Sequence, residues 1–172
     1  LTPTVPASTD GADIEAARRF DGDANRWFLD PIFGRGYPDD VLRDYADAGW
    51  LDRGVSLESP SDHDVIGARQ DFLGVNYYER TIVRDQGDGT PAKVVPANAN
   101  LTDMGWEVYP RGLTDLLTDL SRRYQPESIV ITENGCSFGD APSDDGRVHD
   151  QQRISFLRGH LLAAHEAVRA GV

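Results

Sequence analysis

The chain has 172 residues, enough for one domain, and carries 17 Lys and Arg against 29 Asp and Glu, a formal net charge of -12. With no Lys/Arg cluster in it, that balance argues against binding nucleic acid or an anionic membrane surface. A single cysteine, Cys136, excludes an internal disulfide framework and a cysteine-built zinc site, and no apolar run approaches the roughly 20 residues of a membrane span.

In chain order, Leu1-Thr2-Pro3-Thr4-Val5-Pro6 reads as the exit of a strand whose beginning lies upstream. Asp10 is placed to cap a helix over about 12–29, where Ile14, Ala17, Phe20, Ala24 and Trp27 or Phe28 recur at helical spacing. Pro38 starts a shorter helix with Val41, Leu42 and Tyr45 on one face, and Gly49 stops it. A strand over 71–78 follows. Thr81 to Arg84 and Lys93 to Val95, joined by a turn over 85–90, predict a hairpin. Pro110 opens a helix whose Leu113, Leu116, Leu117 and Leu120 form one apolar stripe.

After Pro126, Ser128-Ile129-Val130-Ile131-Thr132 is a short β-branched run ending in Glu133 and an Asn-Gly turn. It predicts a strand buried on both faces, with a carboxylate where the strand leaves the core. A polar loop over 139–147 leads to a last helix over about 150–170, packing Ile154, Leu157, Leu161, Leu162 and Val168. Apolar strands alternating with amphipathic helices predict βα units of a parallel sheet, an α/β fold with no internal repeat. In such folds chemistry gathers at the carboxyl ends of the strands.

On the residues alone, Glu133 is either a reactive carboxylate or a solvent-facing side chain beside a turn. Asn76 and Tyr78, two apart on a strand, share a face, and strand tyrosines are more often simply half-buried aromatics. Trp106 is a binding surface or a core residue beside Pro110, and Trp27 and Trp50 fall in helical patterns as packing residues. His63, His149, His160 and His165 show no metal-ligand spacing. Cys136 reads as packing, since a reactive thiol needs a depressed pKa. Gly34-Arg35-Gly36 and Gly87-Asp88-Gly89 are turns without the strand-then-helix context of a phosphate cradle.

Ile131-Thr132-Glu133-Asn134-Gly135 resembles the nucleophile motif of the family 1 glycoside hydrolases, β-glucosidases and β-galactosidases built on a TIM (β/α)8 barrel. Further blocks resemble that family in the same order: Trp27-Phe28-Leu29-Asp30-Pro31 with Gly36-Tyr37-Pro38, Asp71-Phe72-Leu73-Gly74-Val75-Asn76-Tyr77-Tyr78, Asp103-Met104-Gly105-Trp106-Glu107-Val108-Tyr109-Pro110, and Asp150 through His160. The resemblance implies a partial barrel, from about the end of strand 5 through helix 7, with residues 1–172 forming part of a single catalytic domain.

It further implies a retaining β-glucosidase in which Glu133 is the nucleophile and the Tyr78 hydroxyl holds that carboxylate oriented and ionised. Asn76 would order the polar network near the sugar, and Trp106 would face the leaving group. No metal and no organic cofactor is implied. The expected partners are a small β-glucoside or oligosaccharide, of the kind released in cellulose degradation, and the remainder of the barrel.

The chain departs from the family pattern in lacking its Asn-Glu-Pro acid/base motif, the upstream sugar-binding blocks and the last strand; Glu58, Glu79 and Glu107 offer no replacement acid. Glu79 stands where a small hydroxyl residue is commoner, Arg111 where Glu is common, and Asp23 interrupts a helix face. The isolated chain is accordingly expected to be poorly stable and inactive on unactivated glycosides. The other readings are a non-catalytic sugar-binding relic and one chain of a split enzyme. The expected location is the cytoplasm, with secretion left open because the sequence starts at Leu1.

Overall fold

The computed structural model describes residues 1–57 and 59–172, so Glu58 lies outside the described residues. Two units emerge: residues 1–3, 72–80 and 95–172 form one, and residues 4–71 and 81–94 the other.

In the second unit a helix, α1, spans Gly11–Asp21. Asp10 makes no side-chain cap. Ser8 does the local work instead: its Oγ accepts from the Asp10 N–H at 3.2 Å and donates to Asp13 Oδ2 at 2.7 Å. The other Asp13 oxygen accepts the Asp85 N–H at 2.8 Å, so a carboxylate only 7 % exposed joins helix to strand. Those two bonds, the Ser8 hydroxyl first, hold the Asp13 pKa below its usual value.

The predicted span of 12–29 is not one regular α-helix: after α1 it passes through a π-helical turn, Gly22–Arg26, and resumes as α2, Trp27–Ile32, which contains Pro31 and ends three residues past the predicted end. Arg26 reaches back from the π turn to Asp21 at 3.2 Å and forks onto Asp40 at 2.9 and 2.6 Å. Gly22 leaves the space it needs, because a Cβ there would lie 2.7 Å from both Arg26 Nη2 and Val41 Cγ2.

Helix α3, Asp39–Asp47, starts after Pro38 as expected, buries Val41, and is followed by Gly49 at φ +75°. A further helix, α4, spans Pro60–Ile66 and was not anticipated; Ser59 and Asp62 form a reciprocal capping box, with Pro60 at the first turn. Trp27 packs against Tyr37 and Tyr45, with ring centroids 4.5 and 5.0 Å away. Trp50 was expected to pack, yet it is 73 % exposed and meets Tyr45 along one side only, at 5.3 Å.

This unit's sheet has the order β1 (Thr4–Pro6), β3 (Thr81–Asp85), β4 (Pro91–Val94), with β1 parallel and β4 antiparallel to β3. The predicted hairpin is present: the Asp85 carboxylate accepts from the Gly87 and Gly89 N–H groups across the turn. The core beneath the sheet is small, made of Ala16, Ala17 and Val83 with Phe20 against it.

The first unit holds two parallel strands, β2 (Leu73–Asn76) and β5 (Ile129–Glu133). Its helices are α5 (Pro110–Tyr124) and α6 (Gln151–Arg169), and these pack on each other. All four leucines of the predicted α5 stripe are buried.

Helix α6 is where the expected face is wrong. Ile154, Leu157, Leu161, Leu162 and Val168 are exposed, while Phe156, His160, Ala163 and Ala167 are buried. Small residues win because the helices approach closely: Thr114 donates to the Ala163 carbonyl at 2.9 Å, and a Cβ on Gly159 would lie 2.9 Å from Pro110 Cγ.

The prediction for β5 also needs correcting. The strand alternates part-buried with exposed positions, Val130 being 43 % exposed, and is not buried on both faces. The buried side of its partner carries Leu73 and Val75, continued by Tyr77 beyond the strand end. Tyr77 is fully buried and donates its hydroxyl to the Tyr109 carbonyl at 2.6 Å. No helix among the described residues is long and apolar enough to cross a membrane.

Candidate active site

The carboxyl ends of β2 and β5 meet out of simple register. Val75 pairs with Ile131, but the next residue, Asn76, pairs with Glu133, so Thr132 is the extra residue of a bulge. Strict alternation would send Thr132 and Glu133 to opposite faces. Here consecutive side chains both engage the side of Asn76 and Tyr78: Thr132 Oγ1 donates to Asn76 Oδ1 at 2.6 Å, and the Tyr78 hydroxyl donates to Glu133 Oε2.

The backbone keeps this arrangement fixed beyond the last ladder pair. The Tyr77 N–H donates to the Glu133 carbonyl at 3.0 Å, and Asn134 Nδ2 donates to the Tyr77 carbonyl at 2.8 Å. Glu133 thus sits on an anchored backbone with an exposed carboxylate, one oxygen held by Tyr78 and the other without a hydrogen bond among the described residues. Its acceptance of the tyrosine proton pushes the Tyr78 pKa up, with burial and the carboxylate charge adding to the effect. The phenol therefore remains a donor at neutral pH.

Trp106 stands beside this pair, its ring centroid 5.2 Å from that of Tyr78 at an interplanar angle of 49°. A short tied loop presents it. Leu101 and Glu107 form a bridge, the Thr102 N–H donates to the Trp106 carbonyl at 2.9 Å, and Gly105 supplies φ +77° at the turn. Arg80 forks onto Glu107 at 2.7 and 3.0 Å and lies 3.6 Å over the Tyr109 ring. With side chains only 20 % and 12 % exposed, this pair is screened less than a surface ion pair and fixes the loop by planar, two-point geometry.

Of the residues singled out from sequence, Glu133, Tyr78 and Trp106 form one cluster, and Asn76 joins it through Thr132. Thr132 itself was missed, since a bulge leaves no mark on a β-branched run. Glu107 is committed to Arg80. Cys136 is part-buried, and burial pushes its thiol pKa up, which makes it a poor nucleophile. His149 pairs with Asp145 at 2.9 Å, and His160 is buried on Phe156. Among the described residues no group of three or more His, Cys, Asp or Glu side chains is arranged to hold a metal ion.

The family model for glycosyl hydrolase family 1 matches residues 1–172. The chain is 37 % identical to β-glucosidase A of Acetivibrio thermocellus over 177 residues, covering 100 % of this chain and 38 % of that one. It is 39 % identical to β-glucosidase A of Thermotoga maritima, over 97 % of this chain and 36 % of the other. The crystal structure of a β-glucosidase from Exiguobacterium marinum superimposes with a TM-score of 0.90 at 33 % identity, covering 99 % of this chain and 38 % of its own. The chain thus spans under two fifths of the length of these relatives, and its fold is part of theirs. A carboxylate held by a tyrosine at the end of a parallel strand, and a match running from the first residue to the last, lead to one assignment: this chain belongs to glycosyl hydrolase family 1.

Proposed function

We propose that the chain carries the nucleophile side of a retaining β-glucosidase, residues 1–172 being part of a single (β/α)8 barrel domain, from about the end of strand 5 through helix 7. The observation that supports it most is the hydrogen bond from Tyr78 to one oxygen of Glu133, which leaves the second oxygen for attack and sets the pair beside Trp106. The naming of relatives as β-glucosidases supports reading the substrate as a terminal β-D-glucoside.

In the first step Glu133 attacks the anomeric carbon. The glycosidic C–O bond breaks as a glycosyl ester forms, and the departing oxygen takes a proton from a second carboxyl group. In the second step that group, now a carboxylate, takes a proton from water; the water oxygen displaces Glu133, and the sugar leaves with its β configuration restored. Retaining geometry asks for the two carboxyls roughly 5 Å apart. Glu107, locked onto Arg80, does not meet that role, and with no Asn-Glu-Pro motif in the 172 residues this reading takes the acid from the remainder of the barrel.

Tyr78 keeps the carboxylate oriented in both steps, and Trp106 offers a flat apolar surface to the leaving group. The test is Glu133→Gly in the complete barrel, assayed on an activated aryl β-glucoside. Hydrolysis falls by at least about 10⁴-fold, and added azide restores turnover, giving an α-glucosyl azide because the small anion enters from the vacated side. Near-normal hydrolysis by the glycine variant would overturn the reading.

A further inference from the structure

We propose that Thr132 is a positioning residue for Asn76: seated over Gly74, it fixes the Asn76 amide with the carbonyl oxygen turned to protein and the N–H pair offered to the sugar. The inference rests on the proposed function for its substrate. Its geometry rests on the bulge alone.

An asparagine amide is nearly symmetric in shape, and its terminal torsion is broad and two-fold, so an unconstrained Asn presents either end to a ligand. Here the two ends are distinguished. Thr132 Oγ1 donates to Asn76 Oδ1 at 2.6 Å, while Asn76 Nδ2 has no acceptor among the described residues. With the amide reversed, the threonine hydroxyl proton would lose the only acceptor it has among those residues. The observed orientation is therefore the favoured one.

Threonine suits this task because its β-branched side chain is stiff at χ1, and the neighbouring strand makes room for it. A Cβ at Gly74 would lie 3.3 Å from Thr132 Cγ2 and 3.5 Å from Oγ1. The missing side chain at Gly74 lets the threonine lie flat across the strand pair, with its hydroxyl aimed two residues along at Asn76. The register slip that admits Thr132 also sets Asn76 opposite Glu133. A glycosyl unit esterified to Glu133 then lies within reach of the amide donors, and its hydroxyl oxygens are the matching acceptors.

The experiment is a double-variant cycle in the complete barrel, reading kcat/KM on 2,4-dinitrophenyl β-D-glucoside. Thr132→Val keeps the shape and removes the hydroxyl; it lowers kcat/KM roughly 5- to 10-fold, the worth of one hydrogen bond. Thr132→Ser retains the donor and recovers to within about 2-fold. In an Asn76→Ala background, Thr132→Val adds nothing further, because its whole effect passes through the amide.

Wild-type kinetics for Thr132→Val, or losses that multiply in the double variant, would overturn the proposal while leaving Glu133 as nucleophile. If the wild-type barrel fails to hydrolyse the substrate, the proposed function falls, and the positioning is judged in that same complete barrel by ¹⁵N relaxation of the Asn76 side-chain amide. That amide is rigid in the wild type and mobile in Thr132→Val; equal mobility in the two would refute the positioning.

Discussion

The two units of this chain solve the same problem, holding strands against helices, with different chemistry. The unit carrying Glu133 is built on apolar burial: Val75, Tyr77, Leu113 and Leu120 are all at most 2 % exposed. At the far end of its strands two hydrogen-bonded pairs stand side by side, Tyr78 with Glu133 and Thr132 with Asn76. The other unit has three small or medium residues in its core cluster and relies on charged groups instead. Asp13 ties α1 to β3, and Arg26 ties the π turn to α3. Buried apolar contact has no charge to titrate or screen, whereas paired carboxylates do. The Glu133 carboxylate therefore sits in the unit whose strands and helices are held mainly by apolar burial, with the Arg80–Glu107 pair fixing the Trp106 loop beside it.

The largest expected effect that probes this contrast is in the polar set. Tyr78→Phe removes the donor to Glu133 and keeps the ring against Trp106. In the complete barrel it lowers kcat about 10²-fold, with little change in thermal stability. A stability loss equal to that of a core variant would show the hydroxyl to be structural.

Next come two glycines, one from each unit. In Gly112→Ala the new methyl runs into the Tyr77 hydroxyl and lies 3.1 Å from Tyr109 Cδ1, breaking the buried bond from Tyr77 to the Tyr109 carbonyl. Gly22→Ala pushes on Arg26 and Val41 together. Each is expected to cost about 1–3 kcal/mol by overpacking, measured by urea unfolding. Only the Gly22→Ala loss should shrink in high salt, because displacing Arg26 acts through its ion pairs. Equal salt dependence would break the comparison.

Acid separates the units again. Burial depresses the His160 pKa below its usual 6.5, against the weaker opposite pull of the Phe156 carbonyl. The unfolded chain then binds a proton that the folded one refuses, so stability is full above about pH 6.5 and declines as pH falls below it. In the other unit, bonds from Ser8 and Asp85 lower Asp13 from 3.8, and Glu15 is lowered from 4.5 to about 2, chiefly by its hydrogen bond to Arg18. Their contribution is present above about pH 4.5 and lost only as pH drops toward 2.

Tryptophan fluorescence resolves the two processes through Trp106 on one side and Trp27 on the other. The Trp106 unit should weaken first, and His160→Phe, which packs on Phe156 and has no nitrogen to charge, should abolish that first loss. The smallest effect is expected at Arg53, paired with Asp47 at side-chain exposures of 81 % and 62 %. Arg53→Ala should change stability by less than about 0.5 kcal/mol.

Much of the candidate cluster's make-up is legible in the sequence because its strongest signals are local. A β-branched run closed by Glu133 and Asn-Gly, and a pair spaced Asn76-x-Tyr78, survive any uncertainty in packing. Helix α5 was equally plain, with four leucines on one stripe and every other face polar. Helix α6 was not, since it is apolar nearly all round and large side chains point away while Ala163 and Ala167 admit the neighbouring helix. No periodicity rule distinguishes those two stripes without knowing which helix comes close. The bulge at Thr132 depends on strand pairing, and the π turn on Arg26 finding Asp40; both are tertiary events. Helix α4 was readable, by contrast: Ser59-Pro60-Ser61-Asp62 carries a capping box and an N-terminal proline, and only its lack of an apolar stripe hid it.

The central claim is that Glu133 forms the bond to sugar. Its most direct test is to trap that bond: the complete barrel is treated with 2-deoxy-2-fluoro-β-D-glucosyl fluoride, digested with pepsin and sequenced by tandem mass spectrometry. The account predicts a fluoroglucosyl ester on the peptide containing Ile131-Thr132-Glu133-Asn134-Gly135, with the modification on Glu133. A label on any other carboxylate, or none in an enzyme that is nonetheless inactivated by the reagent, would contradict it.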